Sequence, residues 1–336
     1  MEKRVPRRLS GDIQPMPLKD IRGQFRVIES IKRALASERF PHAYLFLGPE
    51  GVGRHKTAKE LVKFLNCDLK TDDNCGKCPS CVMIEKKSHP DVFFIEKEEG
   101  KKSISIDSVR FLQHRLSLKP VKGGLNAALI DAQDLTEEAS NSILKILEEP
   151  LHHTIFILIA SARKALLDTI VSRCQIMRFR PLSQTDAACI LTENFNIEKK
   201  EALFLSSLSG NNVKRALLFR DAGAVSWKNN VIDIFSPDSA MSLGENIISD
   251  NPIFDNEQLC GILTGFYRDV LVYKYTNKND LLINKDRMKD IEVISEKADS
   301  ADILIKIGYI EEAKRAFSAN ANFKLTLNLL KERLTA

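Results

Sequence analysis

No apolar run in the sequence reaches the ~18 residues that a membrane-crossing helix needs, so nothing in it reads as a membrane span. A large charge excess is missing as well: 50 basic residues stand against 45 acidic ones, a net charge of +5. A protein that holds nucleic acid by itself concentrates more positive charge. A lone nucleic-acid binder is therefore disfavoured, while contact with DNA inside a larger assembly stays open. The basic start, Met1-Glu2-Lys3-Arg4-Val5-Pro6-Arg7-Arg8, has no apolar stretch behind it. It reads as a disordered leader rather than a secretory signal, and a cytoplasmic protein is expected. Internal repeats and low-complexity tracts are absent. The seven cysteines are an odd number, and four of them fall between Cys67 and Cys81. That clustering points to metal binding and away from a disulfide framework.

What is there is a soluble globular balance, 43% hydrophobic and 28% charged over 336 residues, enough for two or three domains. Ile28, Ile31 and Leu35 have helical spacing. The apolar run Ala43 to Leu47 reads as a buried strand entering a loop at Gly48-Pro49. Helices are expected over Ala58–Leu65 and Val82–Lys87, with a strand at Asp91–Glu96. A helix over Ile106–Leu116, a strand over Asn126–Asp131 and a strong helix from Thr136 to Glu149 follow, the last capped by Thr136 and stopped by Pro150. Thr154–Ala160 is continuously apolar, as a central parallel strand should be, and Gln175–Phe179 is the fifth strand. Beyond Pro181 only helical periods are visible. Strands alternating with helices predict a parallel α/β sheet, and the rest of the chain predicts helical domains.

Gly48-Pro49-Glu50-Gly51-Val52-Gly53 joins the first strand to a helix. That is the place and glycine spacing of a phosphate-binding loop, in which backbone N–H groups wrap an anion. A hydrolytic version continues with Lys, which reaches the outer phosphates, and Ser or Thr, whose hydroxyl holds Mg²⁺. Here Arg54 and His55 stand at those positions. Arg54 keeps the charge, but a guanidinium is no substitute for an ammonium, and an imidazole lacks the hydroxyl's oxygen. Lys56 and Thr57 come next, about 200° around a helix from the required positions, and only an irregular turn would bring them in. Asp131 ends the third strand, where such a site holds Mg²⁺ through water. Gly48, Gly51, Gly53, Arg54 and Asp131 together form a degenerate nucleotide site. Asp134 reads as a turn residue before the Thr136 cap.

Cys67, Cys75, Cys78 and Cys81 form C-x₇-C-x₂-C-x₂-C, with Gly76 and Pro79 helping the tight turns. Four thiolates suit a closed, tetrahedral, structural zinc site with no open position for catalysis. Cys189 and Cys260 read as plain core residues.

Several segments, in this order, resemble the bacterial clamp-loader subunits of the AAA+ class: Gly23-Gln24, His42 to Pro49, His89-Pro90-Asp91, Asn141 to Pro150 and Ser172-Arg173-Cys174. The resemblance covers roughly residues 18 to 220. It implies an AAA+ P-loop α/β domain over 1–180 with a zinc module at 67–81, a helical lid over 181–225 and a helical collar over 226–336. It also implies that Gly23-Gln24 is the adenine-side box, that His89-Pro90-Asp91 is a strand-entry turn, and that Lys214 or Arg215 lies in a lid segment where a basic residue senses nucleotide in the family; beside a degenerate loop, both read as a solvated helix face. The family's motor subunits place Glu after the strand-ending Asp, where this chain has Ala132. The chain thus resembles the family's non-motor, stator-like subunits and is not expected to turn over ATP with Mg²⁺ itself. Arg173 is implied to be an arginine finger reaching the γ-phosphate of a neighbouring subunit. The implied partners are motor and clamp-opening subunits in a hetero-pentamer, the sliding clamp, and primer–template DNA within the complex. Two other readings stay open: an ATP-hydrolysing motor subunit with an atypical loop, and a zinc-dependent nucleic-acid-binding module acting alone.

Overall fold

The computed structural model describes residues 18–36, 40–69, 73–122, 124–149, 153–236 and 253–335. The basic leader and Pro150 lie outside the described residues. The chain divides into two compact units, one ending at Ser183 and one beginning at Gln184.

The first unit runs α1 (Phe25–Ala36), β1 (Ala43–Leu47), α2 (Arg54–Asn66), α3 (Pro79–Glu85), β2 (Val92–Ile95), α4 (Ile106–Leu116), β3 (Asn126–Asp131), α5 (Glu137–Glu148), β4 (Thr154–Ala160), α6 (Asp168–Ser172) and β5 (Gln175–Arg178). The five strands form one parallel sheet in the order β2-β3-β4-β1-β5. Every residue of β4 is buried, as expected of a strand covered on both faces. Alternation along β1 sends Tyr44 and Phe46 into the core shared with α1 and α2, and Ala43 and Leu45 into the core shared with α4 and α5. The Thr136 hydroxyl caps α5 by accepting the Ala139 N–H at 3.2 Å.

Two helices start earlier than their apolar spacing suggests. α2 begins at Arg54 rather than Ala58, because Arg54 and Thr57 are themselves buried and the helix's first turn hides polar side chains. α3 begins at Pro79 rather than Val82. Proline suits a first helical position, the Cys78 sulfur accepts the Cys81 N–H, and Lys87, with φ +55°, lies past the helix end.

The second unit is helical throughout its described residues: α7 (Gln184–Phe195), α8 (Lys199–Leu208), α9 (Val213–Asp221), α10 (Ala224–Ile234), α11 (Asn256–Thr276), α12 (Met288–Lys297), α13 (Ser300–Ser318) and α14 (Phe323–Thr335). Leu191, Leu205, Val231, Leu263, Ile310 and Leu330 belong to one continuous apolar core. Fully buried Asp269 accepts the Ile283 and Asn284 backbone N–H groups at 3.0 and 2.7 Å, tying α11 to the loop beyond it.

Candidate functional site

β1 is the second strand from one edge of the sheet, and its C-terminal end feeds the glycine loop into the N-terminus of α2. Gly48 has no room for a side chain: a Cβ there would meet the Phe179 carbonyl oxygen at 2.5 Å. Gly51 and Gly53 have φ of +74° and +95°, the left-handed backbone that glycine tolerates best. Buried Gln24 braces the loop from behind. Its Nε2 donates to the carbonyls of Arg180 (2.8 Å) and Val52 (3.3 Å), and its Oε1 accepts the Arg180 N–H at 3.1 Å.

Of the four residues after the loop, Arg54 is buried and the side chains of the other three have partners. Arg54 is only 4% exposed, and its Nη1 has no hydrogen-bond partner among the described residues. Burial lowers its pKa, against the pull of Glu50 and Asp131. The His55 Nε2 lies 2.5 Å from Asp131 Oδ1, so the carboxylate at the end of β3 is already engaged. Lys56 turns to Glu60 at 3.0 Å. The Thr57 hydroxyl donates back to the Gly53 carbonyl at 2.9 Å in a fully buried position. α2 therefore starts regularly, with the Lys56 ammonium paired to Glu60 and the Thr57 hydroxyl spent on the loop's own Gly53 carbonyl. Ala132 is buried in a short 3₁₀ turn. Asp134 is the turn residue expected: its carbonyl accepts the Ile104 N–H at 2.7 Å and its carboxylate lies 3.7 Å from Lys97.

Arg173 caps the C-terminus of α6. Its Nη1 donates to the Thr169 carbonyl at 2.9 Å, and its Nη2 reaches Glu148 Oε1 at 2.6 Å. The side chain is about one-third exposed, and its ion-pair partner lies at the end of α5. Beside it, burial pushes the Cys174 thiol up to about 12. In the second unit the Arg215 guanidinium lies over the Phe219 ring at 5.1 Å and near Asp255 at 4.0 Å, while Asn212 caps α9 through the Arg215 N–H.

The four clustered cysteines are brought together. Their sulfurs all lie within 4.8 Å of one another, and Cys67–Cys78 and Cys75–Cys81 are each 4.0 Å apart. An ion with four thiolates at about 2.3 Å separates them by about 3.8 Å, so the cluster fits a tetrahedral ion. Burial opposes ionisation of Cys75, but the Lys77 and Cys78 N–H groups outweigh it and bring that thiol down to about 6. Asp68 Oδ1 accepts the Ser80 hydroxyl at 2.7 Å and closes the module. These residues can hold a metal ion. His89 stands in the turn into β2: its Nδ1 accepts the Asp91 N–H at 3.2 Å, and Asp91 accepts the Val121 and Lys122 N–H groups.

A charge network missed by sequence reading fastens this module to α2. Buried Lys63 pairs with buried Glu60 at 3.0 Å and with Glu85 of α3, and Lys59 reaches Glu85 at 2.9 Å. Only the i,i+3 spacing of Glu60 and Lys63 hinted at it. Burial works against the Glu85 carboxylate, but Lys63 and Lys59 prevail and hold it at about 2. A depressed carboxyl pKa stabilises the fold above the ordinary value of 4.5, and that contribution fades as pH falls toward about 2. Melting curves of wild type and Glu85→Gln should therefore differ most above about pH 4.5 and converge as pH approaches about 2. A constant difference across that range would refute the assignment.

A family described as the delta subunit of DNA polymerase III matches residues 23–183. The chain is 29% identical over 307 residues to the DNA polymerase III subunit delta' of Bacillus subtilis, covering 89% of this chain and 92% of that one. It is 28% identical to the subunit delta' of Pseudomonas aeruginosa, covering 86% and 89%. The DNA polymerase III subunit tau of Bacillus subtilis is 27% identical over 78% of this chain, which spans only 51% of tau. The chain thus matches nearly the full length of the delta' relatives and about half of tau.

Proposed function

Since the chain is a relative of the delta' subunits of DNA polymerase III over most of its length, we propose that it is the non-motor subunit of a bacterial clamp loader, helping to load the sliding clamp onto primer–template DNA. Its own loop binds no catalytically useful Mg²⁺–ATP. The observation that carries this reading is the fate of the loop's flanking groups: Lys56 is turned to Glu60, the Thr57 hydroxyl to Gly53, and Asp131 is held by His55. Hydrolysis needs an ammonium on the outer phosphates, a hydroxyl and a carboxylate on the metal, and a base for water. Ala132 supplies no base.

Arg173 then acts in trans. A guanidinium offered to a neighbouring subunit's γ-phosphate stabilises the charge that spreads over its oxygens in the transition state. To do so it exchanges Glu148 for phosphate. The cysteine cluster holds structural zinc, residues 181–225 serve as the lid, and residues 226–336 form the collar of the pentamer. Its neighbours are motor and clamp-opening subunits, with DNA inside the ring.

The alternative, a motor subunit with an unusual loop, draws on the similarity to tau. The purified chain separates the two. Incubated with ATP and Mg²⁺ it should release no phosphate above background. Turnover at ~1 s⁻¹ or faster, typical of working enzymes, would favour the motor.

A further inference from the structure

A groove of about 550 Å³ runs along the first unit between the start of α1 and β5. Its lining includes Phe25 and Arg26 on one side and Arg178 and Arg180 on the other, and no carboxylate. Among the described residues none of these three guanidinium groups makes a hydrogen bond or an ion pair. Three exposed, unneutralised arginines sharing one groove are an uncompensated positive site, and the complementary ligand is a polyanion. Phe25 stands beside them 77% exposed, a phenyl ring that the core leaves to solvent although it opens a helix. The two walls do not drift apart, because buried Gln24 joins α1's entry to the Arg180 backbone by two hydrogen bonds.

We propose that this groove binds single-stranded DNA, with Arg26, Arg178 and Arg180 on successive phosphates and an unpaired base stacked on Phe25. An open groove with spaced cations follows a chain, and an exposed ring adds stacking that any base can use. Duplex DNA turns its base faces inward and leaves Phe25 without a partner. An acidic peptide would match the arginines, and β5 is an edge strand to which it could add, but it makes no use of the ring's face. This inference rests on the clamp-loader reading, whose DNA partner it assigns to a surface, and it uses neither the glycine loop nor Arg173, although Gly23 and Gln24 border the groove.

The test is fluorescence anisotropy of a labelled oligodeoxythymidylate, on the order of 20 nucleotides long, with the full chain across a salt series. Three phosphate contacts on a single strand predict a log–log salt slope steeper by about 2 in wild type than in Arg26→Gln/Arg178→Gln/Arg180→Gln. Phe25→Ala should weaken binding about tenfold and leave the slope unchanged. All four side chains lie on the surface, so the variants should melt as wild type does. Equal binding by wild type and the triple variant overturns the proposal. So does polyglutamate displacing the probe as well as unlabelled oligothymidylate does, or a duplex binding as tightly as the single strand with Phe25→Ala neutral.

Discussion

Replacing Arg173 by Ala should leave this chain folded and abolish ATP turnover at one neighbouring site of the assembled complex. Arginine fingers contribute on the order of 10³–10⁵ in rate to the site they serve. In the whole complex the loss is read as the missing share of phosphate released per complex. The variant also loses the ion pair to Glu148 and the bond to the Thr169 carbonyl. That pair is partly exposed on both sides, so its loss costs less than about 1 kcal/mol and should hardly move the melting temperature. Arg173→Lys is the informative companion. It keeps the charge but not the fork that reaches two oxygens at once, so it should rescue folding contacts and not turnover. Unchanged ATPase and clamp loading by the Arg173→Ala complex would remove the finger.

The second large effect is expected at the cysteine cluster. Wild-type chain should contain about one zinc per molecule, and Cys78→Ser about none. Structural zinc in small modules contributes ~10–16 kcal/mol of apparent binding energy, which is spent on folding the ligand loop. Cys78 is doubly placed, since it is a candidate ligand and also the N-cap of α3 through the Cys81 N–H. Its loss should open the segment from Cys67 to Cys81, seen as new proteolytic cleavage there. The sheet should persist, because Leu61 and Val62 of α2 remain packed in a core that the cluster does not share. A chelator added to wild type should reproduce the cleavage pattern. Zinc retained by Cys78→Ser, or a chelator without effect, would contradict the assignment.

The two predictions rest on features that differ in how visible they were. The cysteine cluster was legible because its ligands lie within fifteen residues, where spacing alone limits the geometry. The sheet was legible as well: β4 is apolar from Ile155 to Ala160 because both its faces are covered, and α5 announces its cap at Thr136. The starts of α2 and α3 were not, because their first turns bury polar or capping groups instead of apolar ones. Glu148 as the resting partner of Arg173 lies 25 residues away, and the link from Lys63 to Glu85 joins separate helices. No local period carries such pairings.

Chain order alone determined that a phosphate-type loop is followed by a guanidinium and an imidazole instead of an ammonium and a hydroxyl, and that four thiols stand close enough to share one ion. Those are facts of neighbouring residues. Folding decided where the displaced groups go. β3 and β1 flank β4 in one parallel sheet, which brings Asp131 to His55 across 76 residues of sequence. The helical turn of α2 sends Lys56 to Glu60 and Thr57 to Gly53. The strand order sets the first of those contacts through packing between segments far apart in the chain, while the other two follow from the four-residue repeat of a single helix once it starts at Arg54.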